Sequence, residues 1–216
     1  MNISKLDQYL SSAKNIVIIG AMDGISFDEF HPYLKKYGAM YDKVVLVEPV
    51  PWMYEQLKQT YSEFMNFHFE NVAISKDYET RVMVTVPPQH WNSVPDWIKG
   101  CSMFGTKFTN LIAGWTDPMV EPYKQYLSVE CVPFEYITSK YMLDTIDVVK
   151  IDSEGADWLI LQQIDLKKYK PKFVMYECLH LNQRDKEESI VFCASQGYTV
   201  TGLDHDAHAQ LCAEKI

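Results

Sequence analysis

The sequence predicts an α/β fold: a parallel sheet with helices on both faces. Three observations lead there. Short, mostly apolar runs recur at 16–19, 44–47, 148–151 and 172–176, the kind of run a strand shows when both its faces are covered. Segments with apolar residues at helical spacing stand between those runs, and such alternation builds parallel sheets. Each run also ends on a small or acidic residue, Gly20, Glu48, Asp152 or Glu177. In an open parallel sheet those ends face the ligand crevice.

Taken in order, Ile3, Leu6 and Leu10 predict a short helix over 3–13. The first strand, 16–19, closes on the turn Gly20-Ala21-Met22-Asp23-Gly24. Phe27, Phe30 and Leu34 then mark the apolar side of a helix. The second strand, 44–47, ends on Glu48-Pro49. A helix follows from Val50-Pro51-Trp52, with Pro51 in its first turn and Met53, Leu57 and Tyr61 along its stripe. A third strand, 67–69, exits through Asn71-Val72-Ala73-Ile74-Ser75. Residues 81–86 alternate as a strand does, and Pro87-Pro88 ends it.

From 87 to 126 the periodicity is lost, and Trp91, Trp97, Phe104, Phe108 and Trp115 stand among turn residues. A long aromatic loop in a compact domain is usually functional or disordered, and this one is too apolar for disorder. It is expected to cover the mouth of the site where the acceptor binds; the alternative is a satellite core. Residues 127–134 resume strand character and pair with 81–86 as an added strand pair. The fourth buried strand, 148–151, belongs beside the first, and the helix after Gly155 turns Leu159, Ile160 and Ile164 inward. The fifth, 172–176, ends on Glu177-Cys178-Leu179-His180. A helix over 185–196, a turn at Gly197 and a strand over 198–203 lead to Asp204-His205-Asp206-Ala207-His208, read as an acidic solvated loop before a metal-binding run. No repeat or linker divides residues 1–216, so one domain is expected.

The βαβ unit over 15–52 reads as the nucleoside half of a cofactor site. The Glu48 carboxylate can accept hydrogen bonds from the two hydroxyls of a ribose. A dinucleotide fingerprint places a glycine where this chain has Met22, and Asp23 in the turn would repel a pyrophosphate. S-adenosylmethionine carries a sulfonium and an ammonium instead, and suits an acidic turn. Trp52 either covers an adenine edge or packs, and Asn71 or nearby backbone groups can serve that edge. The plainer alternative is a set of packing glycines with a solvated Glu48.

Composition limits the function classes. The chain has 216 residues, 47% hydrophobic and 23% charged, an ordinary globular balance. Its net charge of −9 and its two arginines, Arg81 and Arg184, argue against a nucleic-acid partner. The five cysteines, Cys101, Cys131, Cys178, Cys193 and Cys212, form no C-x-x-C pair and read as reduced thiols. The N-terminus lacks the apolar core of a signal peptide, and no run is long enough to span a bilayer. A cytoplasmic protein without membrane insertion is expected.

Four pieces, GAMDGISFD at 20–28, VEPVPWMYEQL at 47–57, VVKIDSEGAD at 148–157 and FVMYECLH at 173–180, resemble the FkbM-type S-adenosylmethionine-dependent methyltransferases. Trp158 departs from the smaller or polar residues common after that third piece. The resemblance implies the class I methyltransferase fold, a three-layer, Rossmann-like arrangement of seven mostly parallel strands with one reversed near the edge. It also implies O-methylation of a hydroxyl on a sugar or other natural-product acceptor. Carried over by position, Gly20, Ala21, Asp23 and Gly24 surround the methionine portion, and Glu48, with Pro49 beside it, holds the ribose. Asn71, Val72 and Ala73 face the adenine, and Asp152 lies near the amino acid or the reacting methyl.

An alcohol attacks a sulfonium methyl poorly until its proton leaves. His180 is the first candidate base, since an imidazole titrates near neutrality. Asp152 and Glu177 are the alternatives, or they hold a divalent metal that acidifies the acceptor. Two other readings compete: a nucleotide-dependent oxidoreductase, and a non-catalytic S-adenosylmethionine-binding protein on the same fold.

Overall fold

A computed structural model describes residues 3–109, 111–202 and 206–211. The chain runs α1 (Ile3–Ser12), β1 (Asn15–Ile19), α2 (His31–Tyr37), β2 (Lys43–Val47), α3 (Pro51–Thr60), β3 (Phe67–Glu70), β4 (Ala73–Ile74) and β5 (Glu79–Thr85). It continues with β6 (Met103–Phe104), α4 (Asp117–Val120), β7 (Gln125–Val132), α5 (Phe134–Lys140), β8 (Val148–Ile151), α6 (Asp157–Leu161) and α7 (Leu166–Tyr169). β9 (Phe173–Glu177), α8 (Gln183–Ser195), β10 (Tyr198–Thr201) and β11 (Asp206–Leu211) complete it.

Seven strands form the main sheet in the order β10-β11-β9-β8-β1-β2-β3. β9, β8, β1, β2 and β3 are parallel, and β11 runs against both of its neighbours. This is the Rossmann-like order with one reversed strand next to the edge that the resemblance implies. β11 overlaps the run read as an acidic loop. Asp204 and His205 lie outside the described residues, but His208 sits on this strand, buried and stacked on Phe173 with ring centroids 5.7 Å apart. Packing against that ring leaves it no role in an open metal-binding loop.

The three layers explain the apolar runs. In β1, Ile16 and Ile18 pack with Leu10 of α1, Leu34 of α2 and Leu57 of α3. Val17 and Ile19 face the other way, among Phe134 and Ile137 of α5 and Ile160 and Leu161 of α6. Successive residues of a strand point to opposite faces, so a sheet covered on both sides selects apolar residues at every position.

The expected pairing of the segments around 81–86 and 127–134 exists, as an antiparallel β5–β7 ladder with Arg81 opposite Val129. It belongs to a second, four-stranded sheet in the order β4-β7-β5-β6. The aromatic segment packs on that sheet around Val84, Ile98, Met103 and Phe108, with Trp91, Trp97 and Trp115 against them.

One helix departs from expectation. The pattern Phe27, Phe30, Leu34 predicts a helix that includes Phe27, yet α2 begins at His31. Asp23 accepts the backbone N–H groups of Ile25 (2.9 Å) and Ser26 (2.7 Å), Asp28 accepts that of Phe30 (3.0 Å), and Phe27 has φ 56°. These local bonds compete with helix formation and hold the segment in turns. Phe27 is left 64% exposed.

Candidate active site

A cavity of about 310 Å³ opens at the carboxyl ends of β1, β2, β8 and β9. Its walls come from the tips of those strands, from the exit of β3 and from the aromatic segment through Trp97, Cys101 and Phe104.

At the tip of β1, Gly20 has φ 78° and donates its N–H to the Val47 carbonyl at 2.9 Å. A Cβ there would lie 1.7 Å from the backbone oxygen of Asp152. Only glycine lets the β1 and β8 tips approach this closely. Ala21 and Met22 continue the wall.

Glu48 at the tip of β2 is buried. Its Oε2 accepts the Met22 N–H and its Oε1 accepts the Val50 N–H, both at 2.8 Å. Burial pushes this carboxyl up to about 7, against the pull of those two N–H groups, with Asp152 and Asp23 adding to the rise. Each oxygen keeps a lone pair for a further donor, because an ionised carboxylate has about four acceptor sites.

Among the residues expected to touch a nucleoside, Gly20, Ala21, Glu48, Pro49, Val72, Ala73 and Asp152 line the cavity. Four stand behind its walls. The Asp23 carboxylate is taken up by Ile25, Ser26 and the Ser26 hydroxyl. Gly24 packs under α3, where a Cβ would meet the Tyr61 ring at 2.6 Å. The Asn71 amide donates to the carbonyls of Glu48 (2.8 Å) and Pro49 (3.1 Å), which steadies the β2 tip. Trp52 packs toward the second sheet around Met53, Met83 and Val129, with its indole N–H buried and unpartnered.

Opposite Glu48, the tips of β8 and β9 gather charge. Lys150 is buried within β8, with its Nζ 2.9 Å from Asp28, 3.6 Å from Glu29 and 3.7 Å from Asp152. Burial would lower its pKa, but Asp28, Asp152 and Glu29 together hold it above the usual lysine value. Asp152 keeps 37% of its side-chain surface open. Enclosure by the protein still pushes its carboxyl up to about 6, against the pull of Lys150.

His180 Nδ1 lies 3.0 Å from Glu177 Oε2 and 3.1 Å from Glu154 Oε2. Burial pulls the imidazole's pKa down, and the hydrogen bond and charge of Glu177, with the charges of Asp157 and Asp152, together leave it raised. Burial, with Glu177 and Asp152 nearby, drives the Glu154 carboxyl well above its usual range.

Behind this cluster, Asp157 is fully buried. It accepts the N–H groups of Ser153 (3.4 Å), Gly155 (3.2 Å) and Glu177 (3.2 Å) and so locks the β8 loop to the β9 tip. Sequence reasoning assigned no role to Lys150, Asp28 or Asp157. Lys150 had a signal: a lysine within a strand covered on both faces must find carboxylates.

Residues 19–206 match the family described as the Methyltransferase FkbM domain. No protein of curated function matches the chain. Among solved structures, the chain is similar to the methyltransferase domain of bacterial CtHen1-C at 10% identity, with 98% of this chain and 97% of that chain covered and a TM-score of 0.44. An rRNA methylase from Streptococcus thermophilus is 9% identical, with 99% and 98% covered and a TM-score of 0.44. The Pyrococcus abyssi tRNA (uracil-54, C5)-methyltransferase, in complex with S-adenosyl-L-homocysteine, is 12% identical, with 96% and 36% covered and a TM-score of 0.39.

Proposed function

The chain belongs to the FkbM family of S-adenosylmethionine-dependent methyltransferases, and from that premise we propose that it methylates a hydroxyl oxygen of a small acceptor, a sugar or another natural product. Membership sets aside the nucleotide-dependent oxidoreductase. The observation that carries the reading is the pairing of two different walls across one cavity. Glu48 is a buried acceptor on one side, and Glu154, Glu177 and His180 form a proton-accepting cluster on the other.

The donor set fits the cofactor. Glu48 has acceptor capacity left for ribose hydroxyls, Val72 and Ala73 offer an apolar wall for adenine, and the acidic tips favour a cation. S-adenosylmethionine supplies an electrophilic methyl on a sulfonium. The chain's own work is to orient and to remove a proton. The acceptor oxygen gives its electron pair to the methyl carbon, the C–S pair returns to sulfur, and the hydroxyl proton leaves at the Glu154–Glu177–His180 cluster. Holding the reacting atoms in line supplies a large part of such an acceleration. In this reading the aromatic segment over 87–126 covers the acceptor, with Trp97 and Phe104 against its apolar parts. The protein works in the cytoplasm, without a nucleic-acid partner.

The test is transfer of isotopically labelled methyl from S-adenosylmethionine into a panel of sugars and hydroxylated natural products. Label in an ether linkage supports the reading. Label confined to nitrogen or carbon acceptors overturns it.

A further inference from the structure

We propose that Glu154, Glu177 and His180 hold a divalent metal ion beside the methyl-transfer cavity. The inference deepens the reading above and rests on it for the ion's role, though not for the ion's binding.

The first support is geometric. One ligand atom from each of the three side chains lies within 4.8 Å of the other two. Nδ1 of His180 stands 3.0 Å and 3.1 Å from the two carboxylate oxygens. Neighbouring ligands of a six-coordinate ion with bonds of about 2.1 Å are roughly 3 Å apart, so these two spacings match edges of an octahedron.

The second support is a shortage of donors. Glu154 Oε2 is buried, with the weakly donating Cys101 thiol beside its carboxylate and His180 Nδ1 3.1 Å away but committed elsewhere. Nδ1 of His180 is hydrogen-bonded to Glu177 instead. Two buried carboxylates that share one imidazole nitrogen are costly, and a cation is the partner that removes the cost for both together.

The third support is rigidity. Glu154 follows β8 and Glu177 ends β9, and the fully buried Asp157 ties the two tips by their backbone N–H groups. Gly155 turns the loop at φ 97°, a setting that favours glycine, and brings it beside His180. Ligands held by such an outer layer keep their geometry before the ion arrives.

Two carboxylates and one neutral imidazole balance a divalent ion and leave coordination positions open. An oxygen-rich set with a single imidazole suits Mn²⁺ or Mg²⁺ better than a thiolate-preferring metal. The ion's role is to lower the pKa of the acceptor hydroxyl. As ligands the three side chains no longer accept the proton themselves, so it passes to water, the oxygen pair forms the C–O bond, and the C–S pair returns to sulfur. The competing arrangement is an imidazolium bridging two carboxylates with no metal.

The experiment uses the full chain, treated with chelator and dialysed. MnCl₂ is added with and without S-adenosylhomocysteine, and free Mn²⁺ is read by electron paramagnetic resonance. One bound Mn²⁺ per chain is expected. Glu154→Gln and His180→Gln should each weaken it at least about tenfold, with circular dichroism unchanged. A chain that leaves all added Mn²⁺ free overturns the proposal, as do variants that bind Mn²⁺ as the parent does. Binding of Mn²⁺ without S-adenosylhomocysteine binding would keep the metal site and sink the cofactor reading.

Discussion

A methyl group on Gly20 would lie 1.7 Å from the carbonyl oxygen of Asp152. The contact is backbone to backbone, so no rotamer change relieves it, and the φ of 78° adds strain for any other residue. Gly20→Ala is expected to cost at least about 3 kcal/mol and to lower Tm by about 6–12 °C, or to give insoluble protein. A variant that melts with the parent would show that the β1 and β8 tips do not meet this way.

Glu48 couples cofactor binding to pH. Its carboxyl is pushed up to about 7 by burial, with Asp152 and Asp23 contributing. Hydroxyl donors favour the ionised form, so binding releases a proton and affinity for S-adenosylhomocysteine should fall as pH drops through 7. In the free protein the sign is opposite. The raised value means that the folded state holds the proton more tightly, so Glu48 costs stability as pH rises from about 4.5 to about 7. Glu48→Gln leaves one oxygen for the N–H groups of Met22 and Val50. Its affinity should be about 10–100-fold lower, with the pH dependence flattened. Calorimetry between pH 5.5 and 8.5 checks both; equal affinities would remove Glu48 from the ribose site.

Lys150 and Asp28 are a buried pair at 2.9 Å, with side chains 4% and 8% exposed. Removing one partner strands the other. Lys150→Met should destabilise by about 3–5 kcal/mol, and adding Asp28→Asn should restore a large part. Asparagine can still accept the Phe30 N–H, so the turn before α2 is kept. Denaturant melts of the two variants test this. A double variant no more stable than Lys150→Met would argue against the pair.

Trp52 offers a contrast. It packs toward the second sheet with an unpartnered indole N–H. Trp52→Phe removes that buried donor, so affinity for S-adenosylhomocysteine should stay within about threefold and Tm should hold or rise. A loss of affinity beyond tenfold would return the ring to the adenine.

The parts of this architecture that read directly from sequence are those where one rule decides. β1, β2 and β8 are covered on both faces, so their apolar runs mark them, and the end of a parallel strand places Gly20, Glu48 and Asp152 at the cavity. Orientation at the next level depends on partners distant in the chain. Asn71 and Trp52 follow the right strands, yet carbonyls of Glu48 and Pro49 hold one and the second sheet takes the other. Phe27 fits a helical stripe but sits in a turn set by Asp23 and Asp28. β11, with Asp206, Ala207 and His208 at its start, lacks the β-branched residues that mark strands, and its place between β9 and β10 comes from pairing. Asp157 acts through three N–H groups, which no sequence pattern displays.

A crystal structure of the complex with S-adenosylhomocysteine tests the central claim most directly. The account predicts ribose hydroxyls hydrogen-bonded to Glu48, adenine against Val72 and Ala73, and sulfur facing the Glu154–Glu177–His180 cluster. A nucleoside seated away from Glu48, or sulfur turned from that cluster, would contradict it.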